Sequence, residues 1–263
     1  MKNTDRVVWI TGASSGIGEA LAYAYSEKGA RLILSSRNEA RLREVRDRCA
    51  EPGSHLVVPL DLRDTPCVGA GCAEVLKHMG RVDILINNGG VSQRSLAMET
   101  PLDIDRMIME TNFFGTVTLT KAVLPSMAQQ RSGRIVVISS LVGRFGTPLR
   151  SAYSASKHAL HGFFESLRAE VWGLGIGVTL VCPGFIRTNI SVNALTGDGS
   201  PQGTMDEAQA HGMPPDACAR KIIAAVEKGK PEVYIGGREL MGVYIKKFAP
   251  GLFDRIIRKA RVT

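Results

Sequence analysis

No run in the 263 residues reaches the 18 or more consecutive apolar residues that would mark a membrane-spanning helix. Repeats, low-complexity tracts and interdomain linkers are missing as well, which excludes solenoids and tethered modules. The five cysteines (Cys49, Cys67, Cys72, Cys182, Cys218) are odd in number and scattered. They lack the close pairs or histidine spacing of a zinc site or a disulfide framework, so neither a metal nor a disulfide is expected. Such cysteines read as small buried residues in a reducing compartment. The first apolar run begins at Val7, leaving no room for a signal peptide before it, and a cytoplasmic protein is expected.

A formal charge of +8 raises the question of nucleic acid. Its distribution argues against that partner. From Arg238 to Thr263 stand seven basic residues (Arg238, Lys246, Lys247, Arg255, Arg258, Lys259, Arg261) against two acids, Glu239 and Asp254. The body is therefore near neutral, with a basic extension over 238–263.

What is present is alternation. Seven short runs rich in valine, isoleucine and leucine ("RVVWI", "ARLILSS", "HLVVPLD", "VDILINN", "GRIVVISS", "GVTLVCP", "EVYIGG") alternate with helical spacing, as over 19–28, 38–49 and 152–173. Strands apolar almost throughout, each followed by a helix, imply a parallel sheet covered on both faces. The expected fold is α/β: one Rossmann-like, doubly wound domain over 1–263 with a seven-stranded sheet. The long irregular stretch 189–215, rich in Gly, Ser, Asn and Pro, is expected to be a substrate-binding loop.

The first strand leads into "TGASSGIGEAL", with glycines at 12, 16 and 18 where strand gives way to helix. Backbone amides and the helix amino end can there approach a pyrophosphate closely. A tight turn is the bland alternative, but the position after the first strand favours a dinucleotide. An enzyme preferring NAD would carry an acid at the end of the second strand. This chain has Ser36 and Arg37 instead, and an arginine there can pair with a 2'-phosphate, which favours NADP. Asp61, closing the third strand, is placed to accept from an adenine amino group.

In "AYSASKHALHG" Tyr153 precedes Lys157 by four residues, so both side chains lie on one helix face. An ammonium beside a phenol favours the phenolate and makes a proton donor and acceptor usable near neutral pH. Ser140, at the end of "VVISS", can hold a carbonyl oxygen beside that phenol. The chemistry implied is carbonyl reduction or alcohol oxidation.

These pieces together resemble the classical short-chain dehydrogenases/reductases. "TGASSGIG", "DL" at 61–62, "NNGG" at 87–90, "TNFFGT" around Asn112, "ISS" ending at Ser140, "YSASK" and "PGFIRT" at 183–188 run in the family's order. The resemblance implies a catalytic tetrad of Asn112, Ser140, Tyr153 and Lys157, with Asn112 holding a water that links Lys157 to a proton relay. It selects Ser140 over Ser139, thirteen positions before the tyrosine. It further implies cofactor contacts from Gly12, Ser14, Ser15, Gly16, Ile17, Gly18, Arg37, Asp61, Leu62, Asn88, Gly89, Tyr153, Lys157, Ile186 and Thr188. NADP(H) is expected over NAD(H). One departure is Gly89, where the family usually has alanine; it removes a methyl group beside the cofactor and loosens the backbone.

The stretch from Gly89 to Met127 is similar to the branch near the 11-beta-hydroxysteroid dehydrogenases and their orphan relatives. That implies a lipophilic small-molecule substrate such as a steroid, retinoid, quinone or aliphatic ketone. A reductase of 3-oxoacyl thioesters and a non-catalytic NADP-binding sensor are the competing readings, and the full tetrad argues against the sensor. A homodimer or homotetramer pairing through the helices that hold Asn112 and Tyr153 is also implied. In the basic tail, Leu252, Phe253, Ile256, Ile257 and Ala260 recur at spacings of three and four. Such a helix packs on the substrate loop or a neighbouring subunit, or lies on an anionic membrane surface; the shortness of the stripe favours packing.

Overall fold

Each apolar run and the amphipathic segment after it become one strand and one helix of a repeating β–α unit. A computed structural model describes residues 5–260. The elements are β1 (Val7–Thr11), α1 (Gly16–Ser26), β2 (Arg31–Ser35), α2 (Glu39–Asp47), β3 (Leu56–Val57), α3 (Thr65–Met79), β4 (Ile84–Asn87), α4 (Leu102–Met109), α5 (Gly115–Gln130), β5 (Gly133–Ile138), α6 (Ser151–Val171), β6 (Ile176–Pro183), α7 (Glu207–Ala210), α8 (Pro215–Glu227), β7 (Glu232–Ile235), α9 (Met241–Phe248) and α10 (Pro250–Ile257). The seven strands form one parallel sheet in the order β3-β2-β1-β4-β5-β6-β7. This is the doubly wound order, and it reverses between β1 and β4.

Because strand side chains alternate, each strand feeds two cores. Val8, Ile10, Leu32, Leu34 and Ile86 pack with Leu21, Tyr25, Leu42 and Ile222 under α1, α2 and α8. Trp9, Ile33, Leu85, Val137 and Leu180 pack with Val75, Leu119, Val123, Leu160 and Phe164 under α3, α5 and α6. A sheet buried on both faces explains why the strands read as continuous apolar runs. The third run forms a strand over only two residues, but Val58 N and Leu60 N still donate to Leu34 O and Ser36 O of the β2 side at 3.0 Å, and Pro59 between them is tolerated because β3 is the edge strand.

Two segments have shapes that the sequence left open. The stretch after β6 is ordered by its own contacts: Arg94 N donates to Leu195 O at 2.8 Å, Leu195 N to Ser92 O at 2.9 Å, and α7 lies within it. Irregular backbone there finds partners on the segment after β4, which is why it need not be a structureless loop. In the tail, Phe253 is buried and tilts against Phe145, with ring centroids 5.1 Å apart, and Ile257 joins the same cluster. Leu252 and Ile256 do not pack; they stay exposed beside Met241, Tyr244 and Phe248. Eight residues of α10 place only one side of the expected stripe against the body. Ala260 lies beyond the helix, and Arg261 lies outside the described residues. Among the described residues no helix is long and apolar enough to cross a membrane.

Candidate active site

A cleft of about 1080 Å³ opens at the carboxyl ends of the strands, across the β1–β4 reversal. Every residue expected at the site lines it except Gly18 and Asn112. Gly12 turns the chain out of β1 at φ +63°, a left-handed conformation that suits glycine. Gly18 lies under that turn, where an added Cβ would stand 2.3 Å from Gly12 O. Ser15, in extended backbone, opens α1 without a side-chain cap, so the helix's amino-end N–H groups are left to face the cleft beside Ser14, Gly16 and Ile17. Asn88 clips the floor together. Its Nδ2 donates to Thr11 O at 3.0 Å, and the backbone N–H groups of Asn88 and Gly89 both donate to Thr11 Oγ1 at 2.9 Å.

Arg37 is exposed on the rim after β2. Asp61 faces the same end, but its carboxylate accepts a fork from Arg63, with Nη2 to Oδ2 at 2.9 Å, and this bond holds its pKa below the usual range. Arg63 was not anticipated as part of the cleft wall. A methyl group at Gly89 would stand 2.8 Å from Leu62 Cδ1, the far end of a side chain that can move aside. Thr188 faces the α1 amino end; a Cβ on Gly16 would meet its Cγ2 at 2.9 Å. Ile186 is buried beside it, and its carbonyl accepts from Gln209 Nε2.

At the other end stand Ser140, Tyr153 and Lys157. Tyr153 lies in the first turn of α6, whose Ala152 and Tyr153 N–H groups both donate to Gln93 Oε1, at 2.9 and 3.3 Å. A fully buried glutamine from the segment after β4 thus caps the helix that carries the phenol. Ser140 accepts from Val142 N at 3.3 Å, donates to Pro183 O at 3.4 Å, and lines the cleft with Tyr153. Ser139 turns away: its Oγ lies 2.9 Å from His161 Nε2 beneath the site. Of the two serines, Ser140 is the one that is not engaged with His161. Asn112 sits in a single π-helical turn, 110–114, between α4 and α5. Its Oδ1 accepts from Val91 N at 2.8 Å, and its Nδ2 donates to Val91 O at 2.9 Å and Ser156 Oγ at 3.0 Å.

The electrostatics depart from the simple tyrosine–lysine pair. Lys157 Nζ lies 5.8 Å from the Tyr153 ring centroid and donates to Ile138 O at 2.8 Å. Burial pushes the Lys157 ammonium down to about 8. Burial likewise raises the Tyr153 phenol; Arg150, the Ser140 hydroxyl and Arg94 oppose that rise, in that order. Arg150 itself is pushed down to about 10, by burial and then by Arg94. Beneath Ser139, His161 is held down to about 4, by burial and then by Arg144. His161, Cys182 and Glu232 are metal-ligand types lying within 4.8 Å of one another. Arg144 already donates to both Glu232 oxygens, at 2.9 and 2.7 Å, and supplies the cation there.

Comparison with known proteins agrees with this geometry. The short chain dehydrogenase family pattern matches residues 6–198. The chain belongs to that family. It is 45% identical over 259 residues to a Bos taurus protein named dehydrogenase/reductase SDR family member 7B, covering 95% of this chain and 80% of that one. A Drosophila melanogaster protein named dehydrogenase/reductase SDR family protein 7-like is 43% identical over 266 residues, covering 98% and 81%. Among solved structures, a short-chain dehydrogenase from Streptomyces avermitilis superposes with a TM-score of 0.82 at 31% identity, over 97% of this chain and 98% of that one. One from Burkholderia phymatum, solved in complex with NAD, gives 0.85 at 24% identity, over 96% of each. The family membership makes this chain an oxidoreductase acting on CH–OH groups.

Proposed function

We propose that the chain transfers hydride between NADP(H) and a carbonyl or secondary alcohol on an apolar small molecule. The observation that carries this reading is one cleft with Arg37 at one end and Ser140, Tyr153 and Lys157 together at the other. The glycine cradle supports a dinucleotide, because Gly12 and Gly16 line the cleft in left-handed conformations and a Cβ on Gly18 would push into Gly12 O beneath it. When bound, the nicotinamide supplies or takes the hydride. Ser140 holds the substrate oxygen, and Tyr153 gives that oxygen a proton in reduction or takes one in oxidation. Lys157 keeps a donor under the site, and Asn112 fixes the turn beside it.

An apolar substrate is supported by Val91, Met107, Leu195, Ile190 and Pro201 on the cleft wall beyond Tyr153. The segment 189–214 supplies three of these, which supports its reading as the substrate loop. Free cysteines throughout support a reducing, cytoplasmic setting. Exposed Phe114, beside α5, and Trp172, just after α6, support pairing of two copies through that face. Turnover of NADPH and NADH with steroid, retinoid, quinone, aliphatic-ketone and 3-oxoacyl-thioester substrates tests the proposal. Activity with NADPH on apolar ketones is expected. Preference for the thioester, or for NADH, would overturn the corresponding part.

A further inference from the structure

Behind the apolar wall of the cleft lies an ion cluster that neither the family motifs nor the proposed chemistry uses. Arg94, next to the helix-capping Gln93 that is bridged to Leu195, is buried. So are Arg150, the residue before α6, and Asp206, at the foot of α7. Arg94 Nε donates to Asp206 Oδ2 at 3.0 Å, and Arg94 Nη2 donates to the same oxygen. Arg150 Nη2 reaches it at 3.3 Å. Gln202 Nε2 donates to Asp206 Oδ1 at 3.0 Å, and Asp206 N donates to Ser191 Oγ at 3.3 Å. None of the three charged residues lines the cleft, so they do not meet the substrate.

We propose that Arg94 and Arg150 are positioning residues for Tyr153, and that Asp206 is the latch that fastens the substrate-side segment 189–214 onto them. Three elements meet at this cluster: the segment after β4, the start of α6 and the segment before α8. Carboxylate and guanidinium groups this deeply buried are costly unless paired, so the cluster holds when all three elements are in place and resists partial opening. Closing the segment therefore assembles charge behind the phenol at the same time as it walls the cleft.

The guanidinium groups act on Tyr153 by charge as well as by place. Around Tyr153 stand Lys157 from its own helix, Ser140 from the end of β5, Arg94 and Arg150 with Asp206 behind them, and the packing cluster that holds Cys182 from β6 and Tyr234 from β7. Burial keeps the Cys182 thiol and the Tyr234 phenol neutral, the latter pushed up to about 12. The arginines are thus the cations that favour the Tyr153 phenolate, and the Arg94 and Gln202 bonds keep Asp206 an anion between them, outweighing the desolvation that burial imposes on it.

This inference rests on Tyr153 as the acid–base group, and a charge-sign test separates the two. The pH profile of kcat/KM for alcohol oxidation and the phenolate absorbance of the cofactor-loaded protein, taken as a difference from Tyr153→Phe, are measured for four variants. Arg94→Met and Arg150→Met should move the midpoint up by about one unit, and Asp206→Asn should move it down. Arg94→Lys keeps the charge but loses the fork, so its midpoint should stay while KM rises several-fold. A merely structural cluster would move Arg94→Met and Asp206→Asn the same way, or Arg94→Lys as far as Arg94→Met, and either result overturns the proposal. If Arg150→Met fails to fold, the Arg94 pair decides alone. Phenolate shifts of the stated signs without matching activity shifts would retain the inference and remove Tyr153 from the chemistry.

Discussion

Lys157 spends its ammonium on the carbonyl of Ile138, 2.8 Å away at the end of β5, and not on the phenol of Tyr153 one turn earlier. A buried cation with one neutral acceptor is costly, and its pKa of about 8 records that cost. The depressed value means the folded chain resists a proton that the unfolded chain accepts. The cost is fully present below pH 8 and is relieved as the pH rises toward 10.5. Lys157→Met should therefore leave the thermal midpoint unchanged or raised at neutral pH, with the gain shrinking under alkaline conditions. Turnover should fall by about 100-fold or more. A lowered midpoint at neutral pH would show that the Ile138 bond outweighs the desolvation.

Tyr153→Phe removes one oxygen from a side chain whose helix is capped independently by Gln93. Fold and cofactor affinity should persist, while kcat falls by about 100- to 10,000-fold, the range assigned to a positioned proton donor. Stopped-flow turnover alongside a cofactor titration checks both halves, and parental kcat would remove the phenol from the mechanism.

Beneath the site His161 is kept neutral down to about pH 4, whereas an unfolded histidine titrates near 6.5. As pH falls through that window the unfolded chain binds a proton and the folded chain does not, so stability is lost between about 6.5 and 4. The shift corresponds to at most about 3 kcal/mol. His161→Gln, which cannot titrate, should lose less stability than the parent between about pH 7 and pH 4.5 in urea melts. Parallel losses in the two proteins would assign the acid sensitivity to carboxylates alone.

The sheet was legible because both faces are covered: seven apolar runs with helical spacing between them leave little choice of architecture. The glycine turn, Ser140, Tyr153 and Lys157 were legible because each sits at a strand end or on one helix face, where local spacing decides position. Gln93, Arg94, Arg150 and Asp206 were not. Their partners lie 56 to 112 residues away for the ion pairs, and 59 for the Gln93 cap, so no periodicity marks them. The Tyr153–Lys157 spacing was read correctly as one face, but a face does not say which acceptor the ammonium reaches. In the tail, a stripe at spacings of three and four could not reveal that α10 lays only Phe253 and Ile257 against the body.

Arg37 stands at the cleft rim where an NAD-preferring chain would carry an acid; Asp61, bound to Arg63, and Glu39, bound to Arg43, stand on the same wall. Arg37→Ala should weaken NADP(H) binding by roughly 1.5 to 3 kcal/mol, the scale of a hydrogen bond to a charged group. NAD(H) binding should change little. Fluorescence titration with both reduced cofactors provides the comparison, and equal losses would refute a 2'-phosphate contact.

Phe253 joins the tail to the catalytic end of the sheet. Its ring rests on Phe145, three residues past the turn that carries Ser140's partner Val142, and Lys246 Nζ lies 5.4 Å above its centroid. The same cluster includes Cys182, Leu141 and part of Tyr153, so the tail buttresses the backbone that presents the serine and the phenol. Emptying a buried phenylalanine site costs about 3 to 5 kcal/mol when the surroundings cannot collapse. α10 is a short terminal helix and can shift into the gap, so the lower end is expected: Phe253→Ala should cost about 3 kcal/mol in denaturant melts. If the tail buttresses the site, kcat should fall with it, while Leu252→Ala, on the exposed side of the same helix, should change neither. A Phe253→Ala protein with parental stability and kcat would mean that α10 only rests on the domain without supporting it.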